Sequence, residues 1–353
     1  MTKDMSYIET LNQAWQDHLA PRKPNEPTVI SLFAGCGGSS LGYSMAGFRE
    51  VLAAEWDDHA VDVFRKNFPD APVFHGDIVK LSVEECLEMS GVFIGELDVL
   101  DGSPPCQGFS TAGRRAFTDQ RNSLFMEFVR LLRGLSPKAF VMENVSGLVK
   151  GKMKILFRDM LQALKESGYA VSVRLLNASH YGVPQLRERV IFIGVRNDLG
   201  VTPSHPVGRY APISLREALH DCEPSEIMPL TGRNKVMLSM VKPGAKSSER
   251  NRAAVAAFGK VRNFNLLKLS WSQPSPTVLK SMRVSGDFGS GLVMPDEDRY
   301  LSISELKRIC SFPDQFAMTA SYVDRWARLG NSVPPLLMRA IADHIKTHIL
   351  ERK

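Results

Sequence analysis

Two short stretches bring together side chains that could do chemistry. The apolar run Leu97-Asp98-Val99-Leu100 leads through Gly102-Ser103-Pro104-Pro105 to Cys106 and Gln107. A strand ending there presents Cys106 at the carboxyl edge of a sheet, where open α/β sheets bind ligands. A second run, Ala139-Phe140-Val141-Met142, ends in Glu143-Asn144-Val145. A thiol nucleophile and an acid facing one pocket suit addition to an electron-poor ring carbon, with a ring nitrogen protonated at the same time. A pyrimidine base is such a ring. A lone cysteine is more often a small buried hydrophobe, and a lone glutamate at a strand end is usually solvated, so the surrounding elements must decide.

A third strand carries further signals. Val29-Ile30-Ser31-Leu32-Phe33 runs into Ala34-Gly35-Cys36-Gly37-Gly38 and then into a helical pattern with Leu41, Met45 and Phe48. Strand, glycine turn and helix open a nucleotide-binding doubly wound sheet, the glycines letting a ligand approach the backbone. The turn fits neither Gly-x-Gly-x-x-Gly nor a phosphate loop. From Thr28 to Val195 apolar strands alternate with helical patterns, which predicts a largely parallel sheet. Strands are expected at 29–33, 50–54, 73–75, 97–101, 139–142, 171–176 and 190–195, and helices at 39–47, 57–67, 121–133 and 153–167. The polar loop 108–121 is too long for a simple turn and reads as a lid. Tyr7, Ile8, Leu11, Ala14, Trp15 and Leu19 recur at helical spacing, ended by Pro21, Pro24 and Pro27.

In order along the chain stand Leu32-Phe33-Ala34-Gly35-Cys36-Gly37-Gly38, Glu55-Trp56, Gly76-Asp77-Ile78, Pro104-Pro105-Cys106-Gln107, Glu143-Asn144-Val145, Gln185-Leu186-Arg187-Glu188-Arg189 and Gly330-Asn331-Ser332-Val333-Pro334. In these blocks the chain resembles the C5-cytosine DNA methyltransferase family, from about Thr28 to the C-terminus with one unmatched stretch in the middle. It departs at Ser31, where many relatives carry Asp, and at Leu186, where Asn is frequent.

The resemblance implies an α/β fold: an S-adenosylmethionine-dependent methyltransferase (Rossmann-like) doubly wound sheet with a smaller target-recognition domain. The expected organisation is an N-terminal helical extension and linker at 1–27, a catalytic and cofactor-binding domain at 28–198, a target-recognition domain and hinge at 199–320, and a C-terminal segment completing the catalytic domain at 321–353. It further implies DNA (cytosine-5-)-methyltransferase activity on a base flipped from duplex DNA. Cys106 would add to cytosine C6. Glu143 would contact N3 and the exocyclic amine, Arg189 the base O2, and Arg187 would support the carboxylate and a backbone phosphate. The expected cofactor is S-adenosylmethionine. Glu55 would accept from ribose hydroxyls, Trp56 stack on adenine, Asp77 accept from the adenine amine and Ile78 pack on the ring. Phe33, Gly35 and Gly37 would line the methionine part, Pro105 and Leu124 the pocket wall, while Asn331, Ser332 and Val333 close it.

Net charge is only +6, but the segment from Met228 to Arg283 carries eleven basic residues and one acid, Glu249. A solvated basic surface would give such a run; its place in the stretch without family motifs favours a polyanion-binding module. Expected DNA contacts are Gln107, Arg114, Arg115, Arg250 and Arg252, on double-stranded DNA. The five cysteines are scattered with no Cys-x-x-Cys pair, so neither a zinc site nor a disulfide framework is expected. With no apolar run of about 18 residues and no apolar leader, the expectation is a cytoplasmic protein, bacterial or phage-encoded, without membrane or metal partners. A monomer is expected, with a cognate restriction endonuclease as a candidate partner. Two alternatives stay open: a tRNA cytosine-5 methyltransferase of the same fold, and a catalytically silent DNA-binding homologue.

Overall fold

The computed structural model describes residues 5–105, 123–259, 266–283 and 290–351. Along the chain come α1 (Tyr7–Leu19), β1 (Thr28–Leu32), α2 (Gly38–Met45), β2 (Arg49–Glu55), α3 (Asp58–Asn67), β3 (Val73–His75), α4 (Val83–Ser90) and β4 (Val99–Gly102). Then follow α5 (Ser123–Leu135), β5 (Ala139–Val145), α6 (Lys154–Glu166), β6 (Tyr169–Asn177), β7 (Gln185–Leu186) and β8 (Glu188–Arg196). The remainder forms α7 (Leu215–Ala218), α8 (Gly232–Ser239), α9 (Ser247–Phe258), β9 (Leu266–Lys268), β10 (Ser275–Pro276), β11 (Gly291–Val293), α10 (Ile303–Ile309), α11 (Tyr322–Asn331) and α12 (Pro335–Ile345). The expected strands and helices are recovered to within a few residues. Helix α4 was not anticipated: its apolar signal is slight, and only Cys86 is buried on it.

The chain divides into two compact units. The larger comprises Gln16–Asn177, Glu188–Gly208 and the chain from Val333 onward. Its seven-stranded sheet has the order β3-β2-β1-β4-β5-β8-β6. The first five of these strands run parallel, and β8 is antiparallel to both β5 and β6. Strand β1 is buried at every residue, as a parallel strand covered on both faces must be, and its sequence is accordingly a run rather than an alternation. One face packs Ile30, Leu32, Leu100, Phe140 and Met142 against Phe128 and Leu132 of α5 and Met160 and Leu164 of α6. The other face meets α2, where Ser40 Oγ donates to Ser31 Oγ (3.2 Å) and Tyr43 OH to Asp101 Oδ1 (3.4 Å).

The smaller unit comprises the chain up to Trp15, Ala178–Arg187 and Arg209–Ser332. Two short parallel pairs, β7 with β10 and β9 with β11, accompany α7 to α11. Its centre is polar and fully paired in one place. Arg299 grips Glu305 through Nη1–Oε2 (2.8 Å) and Nη2–Oε1 (2.9 Å), and Glu305 completes a capping box with Ser302 at the start of α10.

The unit boundaries differ from the expected 28–198, 199–320 and 321–353. Residues 178–187 and helix α11 cluster with the smaller unit. The cause is the buried side chain of Gln185, whose Oε1 accepts from the Val278 N–H (3.1 Å), together with the ladder between β7 and β10.

Candidate active site

The sheet order sets where a ligand can sit. From β1 the chain crosses to β2 on one side, whereas β4 lies on the other. The switch point of this sheet is therefore between β1 and β4, and the crevice beyond their carboxyl ends is the expected ligand position. Phe33, Gly35 and Gly37 follow β1, Glu55 ends β2 and Trp56 follows it, Asp77 and Ile78 follow β3, and Pro105 follows β4.

The turn after β1 is held by Glu55. Its Oε2 accepts from the Gly35 N–H (2.8 Å), and its Oε1 accepts from the N–H groups of Trp56 (2.9 Å) and Asp57 (3.0 Å). One carboxylate thus fixes both the glycine turn and the entry to α3. Phe33 and Gly35 both adopt left-handed backbone, at φ 58 and 57°. For phenylalanine this is a strained conformation, of the kind that accumulates at ligand sites. A side chain at Gly35 would meet no neighbouring atom, so the turn opens onto free space there. Gly37 differs: a Cβ would lie 2.5 Å from the Phe68 ring, so its missing side chain serves packing against α3 and the residue after it. Trp56 is 75% exposed, which excludes a core role. Asp77 Oδ1 accepts from the Val79 N–H (3.1 Å), and Ile78 is buried in the main apolar cluster. Leu124 packs at the edge of the same cluster.

Glu143, near the end of β5, is buried. Its Oε1 is paired with Arg189 Nε at 2.6 Å. The register sets Val145 opposite Arg189 and Glu143 opposite Ile191, so the two charged residues are diagonal neighbours on one face. Asn144, next in β5, donates from Nδ2 to the Pro104 carbonyl (3.2 Å) and accepts at Oδ1 from the Val145 N–H (2.9 Å). It therefore ties the end of β5 to the Pro-Pro turn two residues before Cys106. Cys106, Gln107, Arg114, Arg115 and the rest of the expected lid at 108–121 lie outside the described residues.

Arg187 belongs to the smaller unit. It is 2% exposed, with Nη1 donating to the Val278 carbonyl (3.0 Å) and Nη2 to the Gly330 carbonyl (3.1 Å). The guanidinium is a staple inside the smaller unit, and the arginine that holds Glu143 is Arg189. Gly330 belongs to the same packing: a Cβ there would lie 2.5 Å from the Leu279 carbonyl oxygen. Asn331 ends α11, Ser332 caps it with Oγ donating to the Arg328 carbonyl (2.8 Å), and Val333 is buried in the larger unit.

Sequence reasoning missed a buried acidic pair beneath the site. Burial pushes the Asp101 carboxyl up to about 7 and the Glu50 carboxyl up to about 8. Asp101 is bonded by Ser39 and Tyr43, and Glu50 Oε2 accepts from Ser31 Oγ (3.0 Å). This accounts for the departure at position 31: an aspartate there would add a third carboxyl beside Glu50, whereas serine donates to it. The available signal was Asp101 itself, a charged residue inside a buried parallel strand.

Arg250 and Arg252 both lie on α9 but are divided by it. Arg250 is half-buried, with Nη1 donating to the Ala245 carbonyl (2.8 Å). Arg252 is exposed and, two residues on, faces elsewhere. Among the described residues no group of three or more His, Cys, Asp or Glu could hold a metal ion. No helix among them is long and apolar enough to cross a membrane.

The chain matches the family model of C-5 cytosine-specific DNA methylases over residues 27–347. It is 34% identical over 332 residues to the Type II methyltransferase M1.HphI of Haemophilus parahaemolyticus, covering 90% of this chain and 86% of that one. It is also 34% identical over 374 residues to M.DdeI of Desulfomicrobium norvegicum, covering 90% and 88%. Among solved structures, a protein encoded within an Escherichia coli prophage and described as a DNA modification methyltransferase superposes with a TM-score of 0.70 at 24% identity, covering 92% of this chain and all of that one. That likeness shows the shared fold. With the family match over most of its length, the chain belongs to the C-5 cytosine-specific DNA methylases and is a DNA cytosine-5 methyltransferase.

Proposed function

We propose that Cys106 adds to C6 of a cytosine flipped from duplex DNA, and that C5 then takes the methyl group of S-adenosylmethionine. The observation that carries this reading is the fixed geometry of β5: Glu143 is buried and paired with Arg189, while Asn144 fastens the turn leading to Cys106. The Cys106 sulfur, as thiolate, forms a bond to C6. Glu143 holds a proton at N3, which offsets the charge developing on the ring as sulfur adds. Electron density reaches C5, which becomes the nucleophile. Arg189 orients the carboxylate and reaches toward O2. After methyl transfer the C5 proton leaves to a base, the Cys106–C6 bond breaks, and the thiolate is restored.

S-adenosylmethionine, when bound, supplies an electrophilic methyl on a sulfonium. The residues fit it at the switch point. Gly35 offers open space beside its backbone, Glu55 keeps one acceptor position, at Oε2, for a ribose hydroxyl, and exposed Trp56 offers a stacking face. Asp77 and Ile78 would take the adenine edge and ring. Phe33, Gly37, Pro105, Leu124 and Val333, all of the larger unit, would complete the wall. The larger unit would hold cofactor and chemistry, the smaller unit the target recognition. The proposed setting is a monomeric bacterial or phage modification enzyme in the cytoplasm; the Type II naming of the relatives supports its working beside a restriction endonuclease.

The test is methylation of duplex DNA and of tRNA by the purified protein, read by bisulfite sequencing. The proposal expects 5-methylcytosine at one short sequence in duplex DNA. Methylation confined to tRNA would overturn it.

A further inference from the structure

Glu249 is the only acid between Met228 and Arg283, among eleven bases. On a surface that attracts phosphate, a carboxylate costs affinity, so its position requires a reason. It stands on the third residue of α9, and its Oε1 accepts from the Lys242 backbone N–H at 3.3 Å, a long contact. Oε2 accepts no hydrogen bond among the described residues. Glu249, Arg252, Ala253 and Ala256 follow helical i, i+3, i+4, i+7 spacing and share one face of α9. With Met240 and Lys242 they line an open concavity of about 530 Å³. The alanines leave that face low between the two charged side chains. Arg252 is exposed and makes no hydrogen bond or ion pair among the described residues. Arg250 is engaged with the Ala245 carbonyl and lies on another face.

We infer that Glu249 and Arg252 together read one G·C base pair in the major groove of the substrate. Arg252 donates its planar fork to guanine O6 and N7, and Glu249 accepts from the cytosine N4 amine. The two acceptors of guanine and the amine of its partner cytosine lie side by side in the groove. Two helical neighbours three residues apart match that spacing. A guanidinium alone would serve equally for phosphate; the carboxylate beside it would not, because phosphate offers it no donor. Lys242, exposed at the rim, takes a backbone phosphate and fixes the register. This inference rests on the chain being a DNA methyltransferase.

The experiment is bisulfite sequencing of a pool of duplexes randomised around cytosine, treated with the full-length protein and its variants. The wild type is expected to require G·C at a defined position. Arg252→Ala, Arg252→Lys and Glu249→Gln should each relax preference at that same position by at least about fivefold. The lysine variant keeps the charge and loses the fork, so it separates base reading from phosphate attraction and stands in if the alanine variant fails to fold. Uniform loss of activity in both Arg252 variants with preference unchanged would overturn the inference. So would uniformly tighter DNA binding by Glu249→Gln with no change of preference. An absence of 5-methylcytosine with the wild type would instead overturn the activity on which the inference stands, and the inference with it.

Discussion

At the carboxyl ends of β2 and β5, the candidate carboxylates and Asn144 are fixed by neighbouring groups. Glu55 is held by three backbone N–H groups, Glu143 by Arg189, and Asn144 by Pro104. In the segment from Met228 to Arg283, Arg233, Lys235, Arg250 and Arg252 stand on the short helices α8 and α9, and only details such as the Arg250 contact to Ala245 distinguish one from another. Chemistry needs a geometry that does not yield, so it sits where strand register dictates position. Recognition of a variable target needs surfaces that tolerate substitution, which the proposal of recognition by the smaller unit places where register dictates little. Four predictions break or sharpen this contrast.

The largest effect is expected at Glu143. Glu143→Gln keeps the shape and removes the proton that N3 requires, so single-turnover methyl transfer should fall about a hundredfold or more while DNA binding persists. An unchanged single-turnover rate would remove Glu143 from the chemistry. The two arginines of the Gln185–Arg189 block come next, because they separate by unit. Arg187→Ala leaves two buried carbonyls without their donor and should cost at least about 2 kcal/mol in chemical denaturation. Arg189→Ala should instead slow methyl transfer with little change in stability. If Arg189→Ala proves the more destabilising, the division between staple and active-site cation is wrong.

Trp56→Ala should weaken cofactor binding about tenfold, the worth of an aromatic stack on a base, with the melting temperature of the free protein unchanged since the ring is exposed. Calorimetry finding weakened DNA affinity and intact cofactor affinity would move Trp56 to the nucleic acid. The smallest effect concerns the buried acids. Glu50 at about 8 and Asp101 at about 7 both lie above their unfolded values, so the folded chain holds protons that the unfolded chain releases. Their contribution is present at low pH and is lost as pH rises through 7 to 8. Glu50→Gln cannot ionise, so its melting temperature should gain on the wild type as pH rises toward about 8 and level off beyond it. Parallel melting curves across that range would show that Glu50 does not titrate in the folded protein.

What was legible in the sequence follows the same line. The parallel strands announced themselves as unbroken apolar runs such as Ala139-Phe140-Val141-Met142, and their ends located Glu143 and Glu55. Partners distant in sequence were not legible: the Val278 and Gly330 carbonyls that Arg187 holds lie 91 and 143 residues away. Asp101 and Glu50 passed unnoticed because the serines and tyrosine that surround them come from β1 and α2. The split between Arg250 and Arg252 required the helix to be placed before their faces could be told apart.

The central claim is a covalent bond between Cys106 and cytosine C6. Duplex DNA carrying 5-fluorocytosine at the target offers the same ring with no C5 proton to lose, and fluorine cannot leave as a cation, so elimination of the cysteine is blocked after methyl transfer. Incubated with S-adenosylmethionine and the protein, it should form a complex that survives denaturation, and mass spectrometry of the digested complex should place the adduct on Cys106. No adduct, or an adduct on Cys36, would contradict the account.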